Sequence, residues 1–167
     1  MSHYKIVSSK IEVNFHLTAV FEYIFKRDLL LFFNELSCVP LFTYTPFVTA
    51  KVRPGFEHMI YFADGSSLKR RLLTFKSDSS FTVSIEDLDL YFQWGLREIE
   101  YCYYFSESDI LEGCTQIISE YKFKFRSRIW KSFFHLNAEK TVQRHLDVFL
   151  KQLHDDCIVH LPYINKI

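Results

Sequence analysis

Three tyrosines are the residues of this chain with the most distinctive chemistry. Tyr101 and Tyr103 occupy alternate positions of one segment, and Tyr121 follows Ser119 in another, Gly113–Arg126. A tyrosine combines an apolar ring with a hydroxyl that needs a hydrogen-bond partner when it is buried. Clustered hydroxyls can hold a ligand carbonyl or act as weak general acids. The simpler alternative, typical of buried tyrosines, is that they bond only to one another, to Ser119 or to water.

His58 is the candidate acid or base among the seven histidines of the chain. It lies in a predicted strand, so the parity of that strand decides whether its imidazole faces inward. His135 and His145 lie on a predicted helix and point to different faces. No histidine pair has the HxxxH or HExxH spacing of a helix-borne zinc site. A surface or structural role is therefore the simpler interpretation of each histidine.

Other catalytic signatures do not occur in the sequence. The cysteines show no CxxC or other metal-ligand spacing; they are Cys38, Cys102, Cys114 and Cys157. The acidic cluster of Glu86, Asp87 and Asp89 falls in a turn-like segment that predicts exposure to solvent. There is no GxSxG, P-loop or GxGxxG motif, and only four glycines are present to build phosphate-binding loops. The sequence predicts no catalytic residue, no metal ligand and no cofactor.

Composition predicts one globular domain spanning residues 1–167. The chain is 49% hydrophobic and 18% aromatic, which excludes a disordered protein. Twenty basic and twenty acidic residues give a net charge of zero, so overall charge predicts no nucleic-acid partner. No segment approaches the roughly 18 apolar residues of a membrane span, and no secretory signal is visible. We expect a cytoplasmic protein with free thiols and no integral membrane segment.

Hydrophobic periodicity predicts an α+β fold, because the strands are grouped between helices. A short helix capped by Thr18 and a second at about Asp28–Glu35 follow the first strand. The predicted strands are Val7–Phe15, Phe47–Arg53, Phe56–Phe62, Leu68–Phe75, Phe81–Glu86, Leu96–Phe105 and Gly113–Arg126. In the last hairpin the faces agree, so Glu98 and Glu100 are expected to pair with Lys122 and Lys124 on the solvent side.

The last predicted element is a long amphipathic helix over Ser127–Leu153. Its apolar stripe comprises Trp130, Phe134, Ala138, Val142, Leu146, Phe149 and Leu153. A second apolar face, of Ile129, Phe133 and Leu136, occurs only in the first half, and the pattern narrows at Asn137, where a kink is expected. The tail over residues 154–167 contains Pro162 and is predicted not to continue the helix.

The order of elements from about Ile6 to Leu153 resembles that of the START-like superfamily, also called SRPBCC. The local segments that carry the resemblance are VRPGF at Val52–Phe56, FADGSSLKRRLLTF at Phe62–Phe75 and EGCTQIISEYKF at Glu112–Phe123. This superfamily includes polyketide cyclase/dehydrase-like proteins and lipid-transfer domains. The resemblance implies a helix-grip fold, in which a curved antiparallel sheet of about seven strands wraps around the long C-terminal helix.

The resemblance also implies an elongated cavity for a hydrophobic small molecule between sheet and helix. Strand alternation and the helix stripe predict the residues of its wall: Ile11, Val13, Phe15, Val83, Ile85, Tyr101, Tyr103, Ile117, Ser119, Tyr121, Leu146, Phe149 and Leu153. The favoured function is binding or transport of a lipid, sterol or polyketide-like molecule. Two alternatives stay open: a cyclase or dehydratase that uses the three tyrosines and His58, and a protein-interaction module whose cavity has collapsed.

Overall fold

The computed structural model describes residues 3–27, 52–63, 65, 67–88, 95–110 and 112–161. Its strands are β1 (Tyr4–Val13), β2 (Glu57–Tyr61), β3 (Ser67–Lys76), β4 (Ser80–Ile85), β5 (Leu96–Glu107) and β6 (Thr115–Phe125). Its helices are α1 (Leu17–Phe25), α2 (Arg128–Asn137) and α3 (Glu139–His160). The predicted helix at about Asp28–Glu35 lies outside the described residues.

The strands form one antiparallel sheet in the order β1-β6-β5-β4-β3-β2. The first strand therefore pairs with the last, and the remaining strands follow one another as hairpins. About seven strands were expected, and six are described. Of the seventh, predicted at Phe47–Arg53, only Val52 and Arg53 are described, and neither is in a strand.

The β5–β6 hairpin has the predicted register and the predicted charge pairs. Glu98 lies opposite Lys124 and Glu100 lies opposite Lys122. The Lys124 amine contacts the Glu98 carboxylate and is 3.0 Å from that of Glu100. Because these charges occupy the solvent side, the other side of both strands is left to aromatic and aliphatic residues. We call that other side, which faces α3, the inner face of the sheet.

Helix α3 lies across the inner face and is attached to the edge strand β1. Its buried side chains are Val142, Leu146, Leu150, Leu153 and Cys157. Polar contacts support the packing: Ser9 Oγ donates to Asp147 Oδ1 at 2.6 Å, and Gln143 Nε2 donates to the Ser8 carbonyl at 2.8 Å. Within the described ranges, no helix is long and apolar enough to cross a membrane.

The C-terminal helix is broken where the narrowing pattern predicted a kink. Ala138 has a non-helical φ of −125°, and the Asn137 side-chain amide donates to the Phe133 carbonyl at 2.9 Å. This side-chain bond to the carbonyl four residues earlier lies beside the break between α2 and α3.

Two local predictions at helix ends are wrong. Thr18 does not cap α1: the helix begins at Leu17 after an extended His16, and no side chain caps it. Residues after Leu153 do continue the C-terminal helix, which ends at His160. The reason is that Cys157, four residues after Leu153, extends the buried stripe, so burial favours two further turns before Pro162.

Candidate functional site

The three tyrosines meet at the centre of the inner face. Tyr101 lies opposite Tyr121 in the β5–β6 register, and Tyr103 lies opposite Ser119. All four side chains are fully buried. The Tyr103 and Tyr121 hydroxyl oxygens are 3.0 Å apart, and the rings of Tyr101 and Tyr121 stack with centroids 5.5 Å apart. The predicted hydroxyl cluster is therefore present, and two of its members form a hydrogen bond.

Burial determines the protonation state of this cluster. It raises the pKa of the Tyr103 hydroxyl well above the ordinary value of 10.0, and the nearby Tyr101 adds to the effect. The hydrogen bond with Tyr121 and the contact with the Ser119 hydroxyl act in the opposite direction but are smaller. Tyr103 is therefore neutral at physiological pH and is suited to hydrogen bonding rather than to work as a base.

The other predicted wall residues also lie on the inner face or on the helix that covers it. Those that are buried are Val13, Phe15, Val83, Ile85, Ile117, Leu146 and Leu153. Ile11 and Phe149 are half-buried and pack against the same core. Phe15 lies beyond the end of β1, where its carbonyl accepts a 2.7 Å hydrogen bond from the Thr115 hydroxyl. The predicted set is thus one continuous surface, and its use for a ligand stays a prediction.

Arg70 is a residue of this face that the sequence interpretation missed. Composition favours solvent exposure for all of the run Lys69-Arg70-Arg71, yet Arg70 is fully buried. Its neighbours Lys69 and Arg71 point outward and form ion pairs with Glu57. The signal was strand parity: Arg70 alternates with Leu68 and Leu72, which are both buried.

The position of Arg70 also settles the parity of His58. His58 lies opposite Arg70 in the β2–β3 register, and Arg70 lies opposite Ile85 in the β3–β4 register. His58 therefore belongs to the inner face, where it is half-buried and its ring lies 6.5 Å from that of Phe56. Arg70 and His58 therefore lie on the same face of the sheet as the three tyrosines, one or two inward-facing residues further along the strands.

Phenylalanines fill the end of the inner face beneath α1. Phe21 and Phe25 of the helix contact rings on three strands, with centroids 5.0–6.1 Å apart. The strand residues are Phe75, Phe81 and Phe105. Phe81 in turn stacks on Tyr103 at 5.5 Å. The tyrosine cluster therefore lies between a close-packed aromatic end and the end that carries Arg70 and His58.

Two clefts lined by described residues lie on the outer face of the sheet. One, of about 250 Å³, is lined by Glu86, Asp87, Arg97, Glu98, Lys124 and Phe125. The other, of about 240 Å³, contains Cys102 beside Thr82 and Tyr104. Burial raises the pKa of the Cys102 thiol, which disfavours the nucleophilic thiolate. Among the described residues no group of three or more side chains could hold a metal ion.

The sheet order, the pairing of first and last strands and the long C-terminal helix define a helix-grip fold. A norcoclaurine synthase from Thalictrum flavum, solved with a transition-state analogue, has this fold with a TM-score of 0.60 at 10% identity, covering 97% of this chain and 99% of that one. DR_A0006 from Deinococcus radiodurans gives a TM-score of 0.59 at 7% identity, covering 94% and 100%.

A second structure of Thalictrum flavum norcoclaurine synthase, in complex with dopamine and hydroxybenzaldehyde, gives a TM-score of 0.56 at 11% identity and covers 95% and 89% of the two chains. No family model matches the sequence, and no curated protein matches it either. At these identities the similarity is one of fold. The predicted helix-grip fold is thereby confirmed.

Proposed function

We propose that this protein binds a hydrophobic small molecule, of the lipid, sterol or polyketide class, between the inner face and α3. The observation that carries the proposal is the buried Tyr103–Tyr121 hydroxyl pair, placed in a wall that is otherwise mostly apolar. Small-molecule sites combine such a wall with a few converging polar groups that orient the ligand. The norcoclaurine synthase structure with dopamine and hydroxybenzaldehyde supports it, because there the same fold holds aromatic molecules.

The tyrosine pair gives the proposed site a defined polarity. The Tyr103 and Tyr121 hydroxyls, with the Ser119 hydroxyl beside them, are the polar groups that a ligand carbonyl or hydroxyl would meet. The raised pKa of Tyr103 keeps its hydroxyl protonated at physiological pH. A ligand with a single oxygen at one end of an apolar body fits this arrangement, because its body would pack on residues such as Val83 and Leu146.

A cyclase or dehydratase activity is the second candidate, and the position of His58 favours it. The imidazole lies on the inner face opposite Arg70, so an acid or base and a cation adjoin the proposed ligand wall. An enzyme of this kind would use His58 for proton transfer and the tyrosines to orient a polyketide-like substrate. The third alternative is a protein-interaction module whose cavity has collapsed, and the phenylalanine-filled end of the inner face favours it. The mass-spectrometry test described next also addresses this alternative.

The test is native mass spectrometry of the purified protein, with organic extraction of any molecule that accompanies it. We expect a hydrophobic molecule on the wild type, and weaker retention on Tyr103→Phe/Tyr121→Phe. Tyr4→Phe is the matched control, since Tyr4 is partly exposed and its edge-strand neighbour Ile6 is exposed as well. The proposal is wrong if nothing accompanies the wild type and no lipid, sterol or polyketide of a panel raises its melting temperature.

The enzymatic candidate needs a second arm. Wild type and His58→Gln are incubated with the extracted molecule and with polyketide-like substrates, and products are followed by mass spectrometry. An enzyme would form product with the wild type, whereas His58→Gln would bind the substrate without converting it. Binding without conversion by either protein would leave carriage as the function.

A further inference from the structure

Ser119 is a small polar side chain at the centre of the inner face. It is fully buried, and its inward-facing neighbours along β6 are Ile117 and Tyr121. Across the strands it lies opposite Tyr103 on β5 and opposite Ser9 on β1. Two serines on adjacent strands therefore interrupt a face that consists mainly of large apolar and aromatic side chains.

The Ser119 hydroxyl is buried without a well-formed hydrogen bond. Among the described residues, no group has hydrogen-bonding geometry to its Oγ. It lies close enough to the Tyr103 hydroxyl to lower the pKa of that group, but the hydrogen bond of normal geometry there is the one between Tyr103 and Tyr121. Most buried hydroxyls in native proteins are hydrogen-bonded, because burial without a partner opposes folding. A ligand group beside the tyrosine pair would give Ser119 the missing partner.

The neighbouring serine is engaged with α3. Ser9 Oγ donates to Asp147 Oδ1 at 2.6 Å, and Gln143 Nε2 donates to the same oxygen at 3.0 Å. The Ser9 hydroxyl therefore has its partner on the helix, and it holds the Asp147 carboxylate beside the row that contains Ser119. The polar group on one side of Ser119 is thus used by α3, and the tyrosine pair lies on the other side.

We propose that Ser119, together with Tyr103 and Tyr121, binds an uncharged hydroxyl group at the polar end of the ligand. The hydroxyl of an alcohol or a phenol both donates and accepts a hydrogen bond, as does each of the three protein hydroxyls. One ligand oxygen can therefore bond to Ser119 and to a tyrosine at the same time. This inference rests on the proposed function and deepens it, because it names the head group of the ligand and the residue that selects it.

A carboxylate head group fits this position less well than a hydroxyl does. An ionised group in an apolar wall is strongly disfavoured unless an opposite charge compensates it. The charge held beside the serine row is that of Asp147, which has the same sign as a ligand carboxylate and would repel it. Of the described cations on the inner face, Arg70 lies on β3, three strands away from β6, and Lys5 is 3.0 Å from the Glu139 carboxylate.

The first arm of the test measures the stability of the protein after any bound molecule has been removed with a hydrophobic resin. Ser119→Ala should melt at or above the wild-type temperature, because the buried hydroxyl that it removes has no well-formed bond. Thr115→Val is the matched control. Thr115 is buried on the same face of the same strand, and its hydroxyl donates to the Phe15 carbonyl at 2.7 Å. Thr115→Val should therefore lower the melting temperature.

The second arm measures affinity by titration calorimetry with probes that share a body and differ in head group. The pairs are decanol and decanoic acid, naphthol and naphthoic acid, and cholesterol and cholesterol sulfate, with decylamine as a cationic probe. In each series that binds, we expect the wild type to prefer the hydroxyl member. Ser119→Ala should weaken binding of that member by about tenfold, the loss of one hydrogen bond, and should leave the charged member unaffected. Thr115→Val should bind like the wild type.

The outcomes separate this inference from the proposed function. Charged probes that bind as tightly as the hydroxyl probes, or a Ser119→Ala variant with wild-type affinity for the hydroxyl member, would overturn the inference and leave hydrophobic ligand binding in place. A melting temperature of Ser119→Ala as low as that of Thr115→Val would also overturn it, since the hydroxyl would then be bonded within the folded chain. If no probe of any series binds the wild type, the proposed function fails and the inference fails with it.

Discussion

The Tyr103 hydroxyl oxygen lies 3.0 Å from the Tyr121 hydroxyl oxygen, on adjacent strands and fully out of contact with solvent. The two residues are not directly opposite in the register: Tyr103 faces Ser119 and Tyr121 faces Tyr101. The hydrogen bond is therefore a diagonal one, which long aromatic side chains can reach. This diagonal places one polar pair at the centre of an apolar wall.

Removal of either hydroxyl should destabilise the protein through the partner that is left behind. We expect Tyr103→Phe and Tyr121→Phe each to lower the free energy of unfolding by about 1–2 kcal/mol, since a buried hydroxyl loses a hydrogen bond. The double substitution should cost less than the sum, with a coupling of about 1 kcal/mol. Urea denaturation measures all three variants. Tyr4→Phe should stay within about 0.5 kcal/mol of the wild type, and strictly additive losses would contradict the hydrogen bond.

Substitution of Gly95 should reveal how tightly Trp130 packs on the chain. Gly95 has a φ of +58°, and an added Cβ would lie 2.4 Å from the indole of Trp130. Gly95→Ala therefore combines a left-handed backbone cost of about 1–2 kcal/mol with a steric cost of about 1–3 kcal/mol. Gly55→Ala is the matched control, since Gly55 has a φ of +86° and nothing within 4 Å of its Cβ position.

The two costs at Gly95 separate in a Trp130→Ala background. There the steric cost should vanish, so Gly95→Ala should cost no more than Gly55→Ala does in the wild type. Denaturation midpoints of the four proteins in the cycle give the coupling directly. Equal effects of Gly95→Ala with and without the indole would show that Trp130 does not pack there.

The fold was predictable because the sequence shows both the residue alternation of strands and the apolar periodicity of an amphipathic helix. Strand alternation gave the inner and outer faces, and the charge pairs of the β5–β6 hairpin followed from it. The apolar stripe from Phe134 to Leu153 predicted the long C-terminal helix on which the sheet packs. In each case the tertiary packing agrees with the local pattern, which is why local rules sufficed.

Burial could not be predicted for residues at which side-chain type and position in the periodic pattern point to different environments. Arg70 belongs to a run of three basic residues, and composition favours solvent for all of them. Only parity places Arg70 inside, and a strand with no other charge on that face gave no second signal. Ile129 and Leu136 are the converse: apolar periodicity marks two faces of this helix, and which of them meets the sheet is decided by tertiary packing, here of Phe134 on Phe123 and Phe125.

Loss of the Glu139 charge should matter only above the pH at which its carboxyl ionises. Burial raises the pKa of Glu139, but the contacts with His135 and Lys5 outweigh it and hold the pKa below the ordinary 4.5. A folded-state pKa below the unfolded value stabilises the fold above about pH 4.5, and this contribution is lost as the pH falls through the folded-state pKa. We expect Glu139→Gln to cost up to about 1 kcal/mol at neutral pH, because the pair is near the surface.

The pH profile distinguishes this ion pair from a packing effect. The deficit of Glu139→Gln relative to the wild type should shrink in urea denaturation as the pH is lowered toward about 3. Lys5→Met removes the same pair from the other side and should show a parallel trend. A deficit of Glu139→Gln that is constant over this range would mean that the charge contributes nothing.

Alkaline conditions should destabilise the protein through Cys157. Its side chain is fully buried, and burial raises the pKa of the Cys157 thiol to about 11, from an ordinary value of 9.0. The charge of Arg27 lowers this pKa and that of Asp156 raises it, and both effects are smaller than that of burial. A raised folded-state pKa gives stability that is complete below pH 9 and is lost as the pH rises through about 11.

Between pH 9 and about pH 11 the unfolded chain releases the Cys157 proton while the folded chain keeps it. In this range Cys157 therefore makes the free energy of unfolding fall by up to about 1.4 kcal/mol per pH unit. Cys157→Ala and Cys157→Ser both remove the ionisable group. Their stabilities at neutral pH should differ from each other, since one leaves a small cavity and the other buries a hydroxyl. Their slopes above pH 9 should nevertheless agree and be shallower than that of the wild type. A wild-type slope in both variants would mean that Cys157 ionises equally in the folded and unfolded chain, and native-state thiol labelling would then be fast as well.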